Sequence, residues 1–348
     1  MLGRPNWKKI GLGVLGIASF VLAIQLMKEG AGAVAPYIRD WLRVNSAANS
    51  LGFGWLSAYV VMSGSPVAAV ALTFFDAGTM GQFETLTMIT GSRLGASFIV
   101  LFIGFIYVLR GHERLTGLSM GLLSFILTAF LHAPGLGLSY VLLANNLTDP
   151  ISLGGGQALT SALDMLYGPL VQFVVQYAPG WLTFLIGAGL VLLSFNLIDR
   201  ALPQLHLETS QFGAISRVVY RPIVMFLMGV VITALSMSVS ISLSILVPLS
   251  ARGYIRTENA IAYIMGANVS TFVDTLFVAL LLSNPQATEV VLVQMISITA
   301  VSLFVLAFLY GPTERLMLYI ISRTGRRTRN LAIFVAAILI APLILLLV

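Results

Sequence analysis

Two clusters of serine interrupt apolar segments of the chain, 175 positions apart. The first is Ser63, Gly64 and Ser65, and the second contains Ser238 and Ser240. A helix that begins inside a membrane leaves about four backbone N–H groups unpaired at the positive end of its dipole, and anions bind there. The serine hydroxyls add further donors. We predict that these five residues bind an anion. The alternative is that small residues only let membrane helices pack closely.

Oxygen-bearing side chains follow the second serine cluster. Asn268, Ser270 and Thr271 stand together, and Asp274 follows three positions later. Amide, hydroxyl and carboxylate oxygens are hard ligands, of the kind that hold Na⁺ where membrane helices are broken. We predict that these four residues bind a cation. Asp274 has two further interpretations, as a proton ligand or as a capped structural residue.

Arg93 stands in the first half of the chain where the second half has Asn268. A charge at membrane depth is costly and usually has both a function and a nearby partner. Three interpretations stay open. The guanidinium binds an oxyanion through its planar fork, it lies where a Na⁺ ion would bind and so removes one ion from the stoichiometry, or it forms a structural ion pair with Asp76 or Glu84.

The composition places these residues in a membrane protein. The chain has 348 residues, of which 58% are hydrophobic and 9% are charged, whereas soluble proteins carry roughly 25% charged residues. The absence of cysteine excludes a thiolate metal site and a cysteine nucleophile, and the three histidines lack metal-ligand spacing. The net charge of +6 is explained by basic cytoplasmic loops and not by nucleic acid binding. We expect neither an enzyme nor a bound cofactor or metal, apart from Na⁺.

The apolar runs divide the chain into two halves joined by a polar connector. We predict an all-α polytopic membrane protein with about seven full spans and two re-entrant helical hairpins, which break inside the membrane. The predicted units are 1–133, with a hairpin at about 51–76, then an external connector with an interfacial helix at 134–180, then 181–310, with a hairpin at about 222–250, and finally a basic loop and a last span at 311–348.

Local signals refine this plan. Ser65 before Pro66 predicts a helix start, with the serine as N-cap and the proline in the first turn. Glycine-rich segments predict further helix breaks at 91–93 and at 266–268. The aromatic spacing at 37–42 predicts a short amphipathic helix in the membrane interface.

The two halves are related by an internal repeat. Residues 62–96 align without a gap with residues 237–271 and share a Met, two serines and two glycines at matching positions. Broken apolar segments at matching places in two halves are the best sequence indication of a transporter site. With a cytoplasmic N-terminus, the second repeat enters the membrane from the opposite side to the first, so the repeats are inverted.

The positive-inside rule supports this orientation. Of the 19 basic residues, 15 then lie on the cytoplasmic side, namely Arg4, Lys8, Lys9, Arg110, Arg114, Arg200, Arg217, Arg221, Arg252, Arg256, Arg315, Arg323, Arg326, Arg327 and Arg329. We predict a multi-pass protein of the cell (inner) membrane.

These motifs resemble the type II sodium/phosphate cotransporter family. That family carries Gln-Ser-Ser-Ser twice, in inverted repeats, each followed by Gly-Ala-Asn-Ile-Gly-Thr. Here the first motif reads Met-Ser-Gly-Ser at 62–65 and Met-Ser-Val-Ser at 237–240, and the second reads Gly-Ser-Arg-Leu-Gly-Ala at 91–96 and Gly-Ala-Asn-Val-Ser-Thr at 266–271. Leu-Met-Lys-Glu-Gly at 26–30 is similar to a further motif of the family. Methionine replaces both glutamines, and each middle serine is lost.

The resemblance implies Na⁺-coupled symport of inorganic phosphate, or of a related oxyanion, by alternating access around the serine clusters. Other interpretations remain: a transporter of another anion, a non-transporting membrane receptor or assembly subunit, or an intramembrane serine hydrolase. The hydrolase is disfavoured because neither hairpin contains a histidine that would act as general base. Whether the coupling ion is Na⁺ or H⁺, and whether the protein forms a homo-oligomer, are left open.

Overall fold

The computed structural model describes residues 7–41, 44–109, 114–145, 147, 156–201, 221–251 and 255–348. The regular structure within these ranges is helical. The helices are α1 (Trp7–Pro36), α2 (Ala47–Val61), α3 (Ser65–Asp76), α4 (Gln82–Leu109), α5 (Arg114–Ala144), α6 (Gly156–Tyr177), α7 (Gly180–Ala201), α8 (Pro222–Ser236), α9 (Val239–Ser244), α10 (Leu246–Ala251), α11 (Thr257–Ser270), α12 (Val273–Leu282), α13 (Pro285–Phe304), α14 (Tyr310–Arg326) and α15 (Thr328–Leu347). Two π turns, Tyr37–Trp41 and Val305–Leu309, extend α1 and join α13 to α14.

Seven stretches of the described chain are long and apolar enough to cross a membrane, and they coincide with the seven predicted spans. They are Trp7–Asp40, Gln82–Leu109, Leu118–Ala144, Gly180–Ala201, Thr257–Leu282, Pro285–Arg326 and Thr328–Leu347. The helix α6 is not one of them, in agreement with its predicted place outside the span count. The prediction of a multi-pass, all-helical membrane protein is therefore confirmed.

Burial separates the central spans from the peripheral ones. Of the most apolar part of Thr257–Leu282, 78% lies inside the protein, against 11% for Thr328–Leu347. The first stretch comprises α11 and α12, and α5 packs against both α11 and α4. The second stretch is α15, which covers α2 on one side only. Polar groups on α4, α5, α11 and α12 that are fully buried include Arg93, Thr128, Asn268 and Asp274.

Each serine cluster interrupts a helix, as predicted. α2 ends at Val61 and α3 begins at Ser65, while α8 ends at Ser236 and α9 begins at Val239. The first residue of each break is a methionine in the left-handed region, with φ of 55° at Met62 and 48° at Met237. Only glycine enters this region without strain. The chain therefore stops both helices with the same unfavourable backbone turn.

The helix boundaries of the two halves agree over a longer distance. Residues 47–61 form α2 and residues 222–236 form α8, so both ends are offset by 175 positions (222 − 47 and 236 − 61). The following helices, α4 and α11, begin at 82 and 257, which is the same offset. Both halves thus fold a helix, a break, a short buried arm and a longer helix in one order.

Four glycines hold these helices in close pairs. A methyl group on Gly54 would stand 2.2 Å from the Met88 carbonyl oxygen, and one on Gly91 would stand 2.1 Å from that of Leu51. In the second half, a methyl group on Gly229 would stand 2.0 Å from the Tyr263 carbonyl oxygen, and one on Gly266 would stand 2.0 Å from that of Phe226. The backbones of α2 and α4, and of α8 and α11, touch at these points, and only glycine leaves room for that approach.

This packing explains why two predicted breaks are wrong. α4 continues without interruption through residues 91–93, and α11 continues through 266–268 and ends at Ser270. The interruption in the second half falls instead at Thr271 and Phe272, before α12. The glycines in these motifs allow close contact with a second helix, and both remain helical.

Three further local predictions are wrong. Gly64, not Ser65, is the N-cap of α3, and Ser65 is already the first helical residue. A side chain at position 64 would stand 2.7 Å from the carbonyl oxygen of Ser92, so the approach to α4 requires glycine there. Residues 37–41 continue α1 through a π turn and do not form a separate helix. The loop expected from Pro134 starts only after Ala144, since α5 accommodates the proline within its length.

The basic segment that was predicted to be a loop before the last span is also helical. α14 covers Tyr310–Arg326, where a loop was predicted, and α15 then forms the predicted last span. Arg323 and Arg326 stand in the last turn of α14, where cations favour the negative end of the helix dipole. Four basic residues assigned to the cytoplasmic side, Arg4, Arg110, Arg217 and Arg252, lie outside the described residues.

Candidate functional site

An ion pair is buried between the two halves of the protein. Nη2 of Arg93, on α4, donates to Oδ1 of Asp274, on α12, at 3.3 Å. The two side chains are 1% and 3% exposed. Ionised groups at this depth are rare in membrane proteins and mark substrate or ion pathways by default. The pair joins a residue predicted to bind an anion to one predicted to bind a cation.

The guanidinium of Arg93 is only half used. Nη2 also donates to the hydroxyl of Thr275, and the guanidinium lies 5.1 Å from the ring centre of Phe272. Nε and Nη1 are buried and have no hydrogen-bond partner among the described residues. Arginine presents five N–H donors in a fixed fork, and buried donors without partners are unusual. Nε and Nη1 can therefore each receive an acceptor from outside the chain.

Asp274 is hydrogen-bonded to its own helix and is also paired with Arg93. It stands in the first turn of α12, where Oδ1 accepts from the backbone N–H of Thr275 at 2.5 Å and from the Thr275 hydroxyl at 2.8 Å. It thus satisfies an otherwise unpaired donor at the helix start and neutralises Arg93 as well. The carboxylate is structural and charged at once.

The ion pair predicted for Arg93 with Asp76 or Glu84 is not formed. Oδ2 of Asp76 lies 3.3 Å from Nζ of Lys28, and its Oδ1 accepts from the side-chain amide of Asn284 at 2.9 Å. Lys28 also donates to the carbonyl of Leu282 at 3.3 Å. Asp76 therefore belongs to a separate network at one end of the bundle, and the partner of Arg93 comes from the other half of the chain.

The first serine cluster lies against α4. Gly64 packs on the Ser92 carbonyl and on Ala96, next to Arg93 in the sequence. Ser65 is buried and Ser63 is partly buried. Their hydroxyls make no hydrogen bond to any residue that the structure describes. Both donors thus remain available close to the helix that carries Arg93.

The second cluster reaches α4 as well, through α9. Its serines have divided roles. The hydroxyl of Ser238 caps α9 by accepting from the backbone N–H of Ile241 at 3.3 Å. Ser242 is fully buried and bonds to Thr233 at 2.6 Å and to the hydroxyl of Tyr263 at 2.8 Å. Within the described chain only Ser240, of the two serines predicted to bind the anion here, keeps an unbonded hydroxyl.

The other predicted cation ligands are mostly engaged within the protein. The amide of Asn268 donates to Thr128 at 3.1 Å and to the Ile264 carbonyl at 2.9 Å. Ser270 donates to the carbonyl of Gly266 at 3.3 Å. Thr271 is the exception, since its buried hydroxyl has no partner among the described residues. Of the four predicted cation ligands, Thr271 keeps an unbonded hydroxyl in the described chain, and Asp274 is paired with Arg93.

Two buried polar residues escaped the sequence reasoning. Nδ1 of His132 lies 2.9 Å from the Thr128 carbonyl, so this nitrogen carries the hydrogen and donates, while Nε2 is buried without a partner in the described chain. Gln294 donates to Thr90 at 2.6 Å. An isolated histidine or glutamine in an apolar span was the available signal, because such residues face the bundle interior.

A polar groove separates α1 from α6. Its volume is about 690 Å³. The polar residues that line it are Gln25, Glu29, Asp164, Tyr167, Gln172 and Gln176. The apolar residues Leu163 and Val171 of α6 also line the groove, while Met165 is 86% exposed. This arrangement agrees with a helix that lies against the bundle and has one face in water and one in lipid.

The described residues contain no group of three or more His, Asp or Glu side chains that would hold a metal ion. Comparisons with protein-family models, with curated proteins and with solved structures found no match.

Proposed function

We propose that the protein is a secondary active transporter, which couples the entry of inorganic phosphate or a related oxyanion to Na⁺ by alternating access. The observation that carries the proposal is the place of Arg93. This buried cation has two nitrogens, Nε and Nη1, without a hydrogen-bond partner in the described chain, and it stands on the helix against which both serine clusters pack. An oxyanion has the acceptor oxygens that these donors lack.

The proposed anion site combines three donor types. Nε and Nη1 of Arg93 supply the charged donors, and the free hydroxyls of Ser65 and Ser240 supply neutral ones from the two clusters. The start of α3 adds backbone N–H groups, because its N-cap has no side-chain hydrogen bond. Ser63, Gly64 and Ser238 shape the two breaks.

We propose further that the two halves are inverted repeats, each with a re-entrant hairpin, and that the N-terminus is cytoplasmic. Contacts between distant residues support this topology. Lys28 meets Leu282, and both lie on the external side in the proposed arrangement. The hydroxyl of Tyr310 donates to the Glu258 carbonyl at 3.2 Å, and both lie on the cytoplasmic side.

The absence of cysteine allows a direct test of topology. Single variants Gln286→Cys and Arg323→Cys place a thiol at each proposed face. A membrane-impermeant maleimide should label the first in intact cells and the second only after the membrane is opened. Labelling of both from outside would show that the chain does not cross the membrane between them, and labelling of Arg323→Cys alone would refute the proposed cytoplasmic N-terminus.

The function is tested by uptake of labelled phosphate into proteoliposomes. Uptake should depend on an inward Na⁺ gradient and should fall by about tenfold or more in Ser65→Ala and Ser240→Ala, if each removes a hydrogen bond to charged phosphate worth roughly 1.5–3 kcal/mol. Ser322→Ala is the matched control, because that hydroxyl bonds only within its own helix. Gradient-independent uptake would remove the coupling claim, and unchanged rates in both serine variants would remove the site.

A binding assay separates a transporter from a receptor of the same fold. Oxyanions that bind the folded protein raise its unfolding temperature. Stabilisation by phosphate without any uptake would identify a non-transporting membrane subunit. Stabilisation by sulfate or another oxyanion, but not by phosphate, would identify that oxyanion as the ligand in place of phosphate.

A further inference from the structure

The oxygens around Asp274 have the composition of a monovalent-cation site. The carboxylate is buried and stands beside the Thr275 hydroxyl. The buried hydroxyl of Thr271, one turn earlier, has no partner in the described chain. The helix is interrupted between Ser270 and Val273, and such interruptions are where coupling cations bind in membrane transporters.

Arg93 fills this site with its own charge. Nη2 donates hydrogen bonds to Asp274 and Thr275, whose oxygens are two of the candidate cation ligands described above. Arginine stays protonated in proteins, so the negative charge of Asp274 is permanently matched. The other half of the chain has the neutral residue Asn268 at the equivalent position. Of these two equivalent positions, only the one in the first half therefore carries a positive charge.

We infer that Arg93 is a tethered cation, which occupies the Asp274 site in place of an ion from solution. The inference rests on the proposed function for its consequence: one coupling ion fewer moves in each transport cycle than if the site were open. Any Na⁺ that drives transport then binds away from Asp274. A purely structural ion pair would behave differently when its arginine is removed. The carboxylate left behind would then show no preference for Na⁺ over other cations.

The test is to remove the tether and ask whether Na⁺ replaces it. In Arg93→Asn the residue of the equivalent position is introduced, and the carboxylate is left open. Unfolding temperatures of the purified protein are measured in NaCl, KCl and choline chloride at equal ionic strength. The variant should gain a Na⁺-specific increase of about 2–4 °C beyond any response of the wild type. The increase should saturate with Na⁺ concentration.

The control is Arg93→Asn combined with Asp274→Asn, which removes both charges and should lose the added response. The inference is overturned if Arg93→Asn responds equally to the three salts, or if the response persists in the double variant. It is also overturned if Arg93→Asn cannot be recovered folded in NaCl, because an ion that fits the site would restore the protein. The measurement needs no transport, so a wild type that moves no phosphate would refute the proposed function and leave this result intact.

Discussion

Replacing Gly91 by alanine tests the close pairing of α2 and α4. The added methyl carbon would stand 2.1 Å from the carbonyl oxygen of Leu51 and 2.9 Å from the backbone nitrogen of Trp55. Carbon–oxygen contacts between packed backbones are about 3.3–3.6 Å, so the helices would have to separate by roughly 1.2 Å. Because the obstacle is backbone, no side-chain rotation can relieve it.

The expected loss of stability is about 1–3 kcal/mol, the usual range for added volume in a packed interior. Gly266→Ala should cause a similar loss, since its methyl group would meet the Phe226 carbonyl at 2.0 Å. The control is Gly137→Ala in α5, where no atom lies within 4 Å of the added group. There alanine should be neutral or stabilising by up to about 1 kcal/mol, because it favours the helix over glycine.

Thermal unfolding in detergent, followed by tryptophan fluorescence or by the folded fraction after heating, measures these differences. The two interface variants should unfold at lower temperature than wild type, and Gly137→Ala should not. A wild-type midpoint for Gly91→Ala would mean that the backbones do not touch at this crossing. An equal loss in Gly137→Ala would mean that the effect does not arise from the crossing at all.

Two further predictions concern the ion pair and the breaks. Arg93→Met should destabilise the protein by about 3–5 kcal/mol because it leaves a buried carboxylate without a partner. Combining it with Asp274→Leu should recover most of that loss. Additive losses in thermal unfolding would show that the two side chains do not interact. Met62→Gly and Met237→Gly should each stabilise by about 0.5–1 kcal/mol, since glycine adopts a positive φ without strain; lowered unfolding temperatures in both would argue that the methionine side chains hold the breaks together.

The spans and the serine breaks could be predicted because their signals are local. A run of apolar residues as long as the membrane is thick indicates a span whatever surrounds it, and the clusters at 62–65 and 237–240 carry their own stop signals. The glycines at 91 and 266 were misinterpreted for the opposite reason. Whether a glycine breaks a helix or receives another helix depends on what faces it, and the facing residues are about 40 positions away.

The site was predictable as a set of residues but not as a set of partners. Arg93 was identified by its charge in an apolar segment, yet its partner Asp274 is 181 positions away, and Asp76 and Glu84 were nearer in the sequence. The serines could not be ranked, because a free hydroxyl at Ser240 and a committed one at Ser242 look the same until Tyr263 and Thr233 are in place.

The order in which the chain is made has a consequence for α3. Most of this short helix is buried, and its surroundings include α7 and α12 as well as nearby helices. Phe74 stacks on Phe184 at 5.2 Å, and Asp76 is held by Asn284. These partners leave the ribosome more than 100 and more than 200 residues later (184 − 74 and 284 − 76).

During synthesis, α3 is therefore made before these neighbours. In the proposed re-entrant arrangement its open backbone groups cannot be left in bare lipid. The nascent chain must keep this arm near water or under a chaperone until the second half arrives. A chain that stops before residue 284 therefore lacks a side chain that holds the end of α3.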